Sequence, residues 1–253
     1  MNKTYFTSPE ESHKHSLQTL NQMYAYDDFM ESIATLADMG CGRGLDTEWW
    51  ATRTTRDERA DPLNIKCYGI DQFEQFPMTK KYHNTQYHRQ DFEEPITTDT
   101  KFDIIWSHDS FQYVINPFQT LANWKKAMNP NATLAIILPQ TTNIEFNTQA
   151  FDQRDFQYYN WTMVSLIHTL AVSGFDCRDG YFLKEPGSPW LHAIVYNSDQ
   201  QPKDPRTTSW YELAESNLLP ETAVDSINKY GYVKQRDLTL PWINKALTCL
   251  GNE

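Results

Sequence analysis

Residues 34–50 read ATLADMGCGRGLDTEWW, and this stretch decides the fold. Ala34 to Met39 form a short apolar run of β character, glycine then recurs at 40, 42 and 44, and a helical pattern follows with Leu45, Trp49 and Ala51 near one face. Glycine reaches backbone angles that a Cβ forbids and leaves the main chain bare, so a ligand can lie directly on it. A strand, a bare turn and a helix in that order open an α/β nucleotide-type unit, with the turn at the ligand-binding edge of the sheet.

The spacing of the glycines narrows the ligand. The dinucleotide fingerprint Gly-x-Gly-x-x-Gly needs glycine at 45, where the chain has Leu45, and no Gly-Lys-Ser/Thr follows as a P-loop requires. Asp38 stands two residues before the first glycine, and a carboxylate there repels a pyrophosphate but suits a cation.

Further β-like runs follow at 65–71 (IKCYGID), 85–91 (TQYHRQD), 102–109 (FDIIWSHD) and 132–140 (ATLAIILPQ). Helical patterns separate most of them, loosely at 72–82 and clearly at 117–128, where Pro117 opens the helix. Alternation of strand and helix is the mark of βαβ units and a parallel sheet. A helix over 161–175 stops at Gly174, and the runs 178–185 and 190–197 are joined only by Pro-Gly-Ser-Pro, too short for a crossover, so this last pair is antiparallel. Ahead of the glycine turn, Ser8-Pro9 starts an amphipathic helix through Tyr24. The segment 147–160 is polar and aromatic without period, as expected of a loop or lid rather than core. A Pro-rich linker at 198–209 leads to two helices, the second closed by Gly231, and a short third.

The fold class is therefore α/β: a seven-stranded, mostly parallel sheet with helices on both faces, the last strand pair antiparallel, and a helical C-terminal appendage. The division expected is a ligand-binding domain over 1–197 and an extension over 198–253, the latter a candidate contact for a partner subunit or a second copy.

Composition removes several function classes. The 253 residues carry a net charge of -11 and no run of Lys or Arg longer than two, so the basic footprint of a nucleic-acid or anionic-membrane binder is missing. The four cysteines, Cys41, Cys67, Cys177 and Cys249, form no C-x-x-C pair and read as free thiols in a reducing compartment, with no metal site. The first 20 residues hold no apolar signal core and no stretch is long enough to span a membrane, which points to a cytoplasmic protein.

Asp38-Met39-Gly40-Cys41-Gly42-Arg43-Gly44 resembles motif I of class I S-adenosylmethionine-dependent methyltransferases. The resemblance covers roughly residues 15–197 and implies that Asp38, Gly40, Cys41, Gly42 and Gly44 receive the methionine end of the cofactor. Asp71, closing its strand and followed by Gln72, matches the acid that takes the ribose hydroxyls, a task for a carboxylate that accepts two hydrogen bonds. Asp91 and Phe92 resemble the pair beside the adenine. Ser107, His108 and Asp109 fall at the exit of the fourth strand, which in this family faces the methyl group and the acceptor. His108 is the candidate general base, its ordinary pKa lying near working pH; a role in shape or in a backbone contact to the cofactor is the alternative.

No Asn/Asp-Pro-Pro-Tyr/Phe signature of enzymes that methylate DNA bases or glutamine amides is present, and the strand exit is similar to that of small-molecule N- and O-methyltransferases. The expected activity is methyl transfer from S-adenosylmethionine to nitrogen or oxygen of a small metabolite. Tyr24, Tyr26, Phe29, Tyr158, Tyr159 and Trp161 are candidate ring faces for a planar or cationic acceptor. Two rivals are a regulatory protein that holds the cofactor without turnover, and a dinucleotide-dependent oxidoreductase, which Leu45 disfavours.

Overall fold

A computed structural model describes Ser16 and residues 32–53, 63–72, 82–140, 158–159, 161–184 and 190–233. The expected N-terminal helix with Tyr24, Tyr26 and Phe29, the loose helix after Gln72, most of the lid and the third C-terminal helix lie outside these residues.

Among the described residues seven strands form one sheet: β1 (Thr35–Met39), β2 (Lys66–Asp71), β3 (Thr85–Arg89), β4 (Phe102–His108), β5 (Met128–Pro139), β6 (Phe175–Lys184) and β7 (Trp190–Asn197). Their order is β3-β2-β1-β4-β5-β7-β6. β1 pairs in parallel with β2 and β4, β2 with β3, and β4 with β5. Only β7 runs against its neighbours, pairing antiparallel with both β5 and β6, as the short Pro-Gly-Ser-Pro connection requires. Strand order reverses between β1 and β4, and the crevice beyond their carboxyl ends is the ligand position of open α/β sheets.

The helices described in full are α1 (Leu45–Ala51), α2 (Pro117–Ala127), α3 (Met163–Val172), α4 (Trp210–Glu215) and α5 (Glu221–Tyr230). Strand residues alternate between two apolar layers, since buried strands point successive side chains to opposite faces. Leu36, Ile104, Trp106, Ala135 and Ile137 pack with Trp50 and Ala51 of α1. Ala37, Ile105, Leu134 and Ile136 face the other way, against Leu121 and Trp124 of α2, Leu166 and Leu170 of α3, Leu213 of α4 and Ile227 of α5. The C-terminal helices thus share the core of the sheet's second face. Cys177 N–H also donates to Leu218 O at 3.0 Å, and Lys203 N–H to Val172 O at 2.8 Å.

Local signals place the ends of these elements. Asn116 caps α2 by accepting from Gln119 N–H, with Pro117 at the first turn. Thr162 and Ser165 form a reciprocal capping box on α3, and Gly231 ends α5 with φ +73°.

Expectations change in β6, β5 and α1. β6 begins at Phe175 rather than 178, and the helix before it ends at Val172. β5 begins at Met128 rather than 132, because an irregularity in its pairing with β4, between Phe102 and Ile104, accommodates Pro130 and the left-handed Asn131 within the strand. In α1 the buried residues are Asp46, Thr47, Trp50 and Ala51, not Leu45 and Trp49. Hydrogen bonds from two strands turn that helix, as described next.

Candidate active site

The chain leaves β1 through three left-handed glycines, Gly40 (φ +75°), Gly42 (φ +50°) and Gly44 (φ +75°). They are bare for different reasons. A Cβ on Gly40 would stand 2.4 Å from Ser110 Cβ, and one on Gly44 would stand 2.6 Å from the Tyr87 hydroxyl, so both positions are closed by the protein itself. A Cβ on Gly42 would meet nothing within 4 Å. The loop therefore opens toward solvent at Gly42. Its base is held by β2, where Ile70 O accepts from Gly40 N–H at 2.8 Å and Cys41 N–H at 3.2 Å.

Carboxylates flank this loop. Asp71, buried at the end of β2, accepts from Gly42 N–H at 2.8 Å through Oδ2, which ties the tip of the turn to the neighbouring strand. Asp38, buried beneath the loop, accepts from Thr47 Oγ1 of α1 at 2.5 Å. Burial pushes the Asp38 carboxyl well above its ordinary pKa, the nearby Asp46 adds to the rise, and the Thr47 hydroxyl opposes it. A cation placed beside Asp38 would favour its ionised form. Burial likewise pushes the Cys41 thiol up, reinforced by Asp38 and Asp71, so Cys41 is a small apolar wall here and not a nucleophile.

β4 closes the far side. Ser110 donates to Met39 O at 2.6 Å, and Ser107 and Ser110 hydroxyls lie 2.7 Å apart. Ser110 has one hydroxyl hydrogen and spends it on Met39, so Ser107 is the donor to Ser110. The pair rivets the exit of β4 to the exit of β1. Asp109 follows in the left-handed region (φ +51°), its N–H held by Ile137 O at 2.9 Å and its Oδ1 accepting from Gln112 at 2.6 Å. Phe92 is buried near Gly40, its ring 6.4 Å from Trp124, while its carbonyl accepts from Trp124 Nε1 at 2.7 Å. Asp91 is half-buried and caps its own turn by accepting from Glu93 N–H at 3.0 Å; Gln72 is exposed just past Asp71.

His108, the last residue of β4, is buried with its ring 5.4 Å from that of Trp190. Its Nδ1 approaches Asp46 Oδ2 at 3.4 Å. Asp46 also accepts from Trp106 Nε1 at 2.8 Å and from Ser16 Oγ at 2.9 Å. These contacts, with Thr47 on Asp38, explain why α1 buries its polar 46–47 edge. Sequence reasoning missed Asp46, Thr47 and Ser110. The signal for the first was available: Asp46 and Trp50 are four apart on one helix face, directly after the glycine turn.

Around the exit of β4 the rings of Phe111 and Trp161 lie 5.4 Å apart, and those of Tyr159 and Trp161 5.8 Å apart. Tyr159 donates to Ile115 O at 2.9 Å, while Tyr158 and Ile115 are exposed. Trp161 is buried within the core of the second face.

A bare main chain opening outward at Gly42, acids on both flanks and a phenyl ring beneath fit a cationic nucleoside and oppose a pyrophosphate. Among the described residues no cluster of His, Cys, Asp and Glu is suited to a metal ion. No helix among them is long and apolar enough to cross a membrane.

Residues 37–136, from β1 into β5, match the family model described as a methyltransferase domain. This segment is similar to a methyltransferase domain and makes up less than half of the chain, and the sheet order is that of the fold the solved structures share. No relative is found among curated proteins. Among solved structures, 1,6-didemethyltoxoflavin-N1-methyltransferase of Burkholderia thailandensis, bound to 1,6-didemethyltoxoflavin and S-adenosylhomocysteine, is 14% identical with TM-score 0.54, over 78% of this chain and 94% of that one. A putative S-adenosylmethionine-dependent methyltransferase of Listeria monocytogenes is 13% identical with TM-score 0.53, over 75% of this chain and 100% of that one. Human N-acetylserotonin methyltransferase, in complex with S-adenosylmethionine, is 14% identical with TM-score 0.49; the match covers 76% of this chain but only 57% of that protein's length.

Proposed function

We propose that the protein transfers a methyl group from S-adenosylmethionine to a nitrogen or oxygen atom of a small molecule. The observation that carries this reading is the loop itself: three left-handed glycines, of which only Gly42 opens onto free space, between the buried carboxylates of Asp38 and Asp71. Bound there, the cofactor supplies an already activated sulfonium methyl group. Asp38 would meet the positive methionine end. Asp71 would hold the ribose by its carboxylate while continuing to fix the loop through Gly42 N–H. Phe92 would lie against the base, with Asp91 at its polar edge.

The remaining work is positioning and exclusion of water. Holding the acceptor in line with the methyl group supplies much of the acceleration in such a transfer. The Ser107–Ser110–Met39 bonds keep the β4 exit at a fixed distance from the glycine turn. Beside that exit the exposed Tyr159, backed by the buried rings of Phe111 and Trp161, offers a ring face, which favours a planar or cationic acceptor. The burdens on a bulk nucleic-acid substrate are the net charge of -11 and the lack of a basic run. N1-methylation of 1,6-didemethyltoxoflavin is the activity named for the Burkholderia thailandensis enzyme.

The test is a screen of amines, heteroaromatics, phenols and carboxylic acids with S-adenosylmethionine labelled in the methyl group. Label recovered in a small acceptor supports the reading. Tight cofactor binding without transfer to any acceptor would leave a regulatory cofactor-binding protein instead.

A further inference from the structure

The contacts of Asp46 go beyond what the glycine motif requires. It lies in the first turn of α1, buried, and draws together three elements distant in sequence: Ser16 Oγ on Oδ1 at 2.9 Å, and on Oδ2 both Trp106 Nε1 at 2.8 Å and His108 Nδ1 at 3.4 Å. Trp106 and His108 are two apart on β4 and share the face covered by α1, so one oxygen is aimed at both. Trp106 is wholly buried and can only donate, which locks that oxygen as an acceptor. With Ser16 donating to Oδ1 and Trp106 to Oδ2, both oxygens are engaged as acceptors, so the ring nitrogen facing Oδ2 is the one that carries hydrogen. The opposite nitrogen, Nε2, is then the basic one.

We propose that Asp46 is a positioning residue for His108, holding the ring through Nδ1 so that Nε2 is the atom that takes the acceptor's proton. This rests on the methyl-transfer reading of the site. As the acceptor takes the methyl carbon from the sulfonium sulfur, which leaves as a thioether, its N–H or O–H bond breaks and the proton passes to Nε2; that atom is buried, so the proton reaches water only when product departs. Ser16 and Trp106 keep the carboxylate from rotating away, and Trp190 confines the ring on its other side. The role differs from that of Asp38, which is engaged by Thr47 and faces the glycine loop.

The experiment begins on cofactor-free protein labelled with 15N in histidine, with His108 assigned by its loss in His108→Gln. At neutral pH the wild-type ring is expected in the Nδ1–H form, and Asp46→Asn, whose amide can turn a donor toward the ring, is expected to lower that fraction. Asp46→Asn should also lower kcat by about ten- to a hundredfold with cofactor Kd unchanged within about twofold, and Asp46→Glu should recover part of both signals. A wild-type ring in the Nε2–H form overturns the proposal, even if Asp46→Asn fails to fold. So does an Asn variant with unaltered tautomer and turnover. If wild-type protein shows no S-adenosylmethionine binding by calorimetry, the methyl-transfer reading fails instead, and the tautomer result separates the two failures.

Discussion

Replacing Gly42 by asparagine separates ligand binding from folding more cleanly than any other change in the loop. At φ +50° most side chains cost roughly 1–2 kcal/mol, but asparagine visits this region routinely and its penalty is a fraction of that. A Cβ at 42 meets no protein atom within 4 Å, so no packing term adds to it. The expected loss of stability is therefore below about 1 kcal/mol, or roughly 2–4 °C in Tm for a chain of this size. The new side chain fills the space into which the bare turn opens, and cofactor affinity should fall at least tenfold, about 1.4 kcal/mol. Gly40→Ala is the contrasting control. Its Cβ would lie 2.4 Å from Ser110 Cβ at φ +75°, so it should displace Ser110 from Met39 O and cost several times more stability. Calorimetric titration with S-adenosylhomocysteine and thermal melts of both variants decide the matter. Gly42→Asn with wild-type affinity would refute the reasoning, as would a melt as depressed as that of Gly40→Ala.

Three further outcomes are expected. Asp71→Asn should weaken cofactor binding by about 1–3 kcal/mol in a calorimetric titration, since it removes charge-assisted bonds to ligand and to Gly42 N–H. Lys125 Nζ donates to Gly174 O, Asn197 Oδ1 and Ser198 O at 2.7–2.8 Å, away from the carboxyl ends that form the site; Lys125→Met should lower the unfolding free energy by about 1–3 kcal/mol, seen as a lower Tm, and leave cofactor affinity unchanged. Asp103 is partly desolvated, which alone raises its pKa, but donors from Asn129, Ala34 and Thr35 outweigh this and hold it below its ordinary value. A depressed carboxylate contributes stability above its unfolded pKa and loses it as pH falls through the folded one. Urea melts of Asp103→Ala should therefore show a deficit near pH 7, about 1 kcal/mol after solvent screening, that begins to shrink below about pH 4 and goes on shrinking as pH falls through the lower folded pKa.

The glycine turn and the strands beside it were legible because their constraints are local. No other residue takes three alternating left-handed positions between a strand and a helix, and a Pro-Gly-Ser-Pro connection leaves β6 and β7 only one way to pair. The wiring of the site was not legible, because it depends on which strands lie together. Ser110 reaches Met39, and Trp106 and His108 reach Asp46, only once β4 is set beside β1, some 60 to 70 residues along the chain. The misjudged face of α1 has the same origin. Periodicity weighs Trp49 and Leu45 by their apolar area, whereas the helix is oriented by the bonds of Thr47 to Asp38 and of Asp46 to Trp106. At β5, Pro130 and Asn131 read as the end of a loop, and only the irregular pairing with β4 shows them inside the strand.

The most direct measurement is a crystal structure of the full chain grown with S-adenosylhomocysteine. The nucleoside is expected to lie along Gly40–Gly44 with its ribose on Asp71. A turn left empty at saturating ligand, or a nucleoside seated elsewhere on the sheet, would contradict the account.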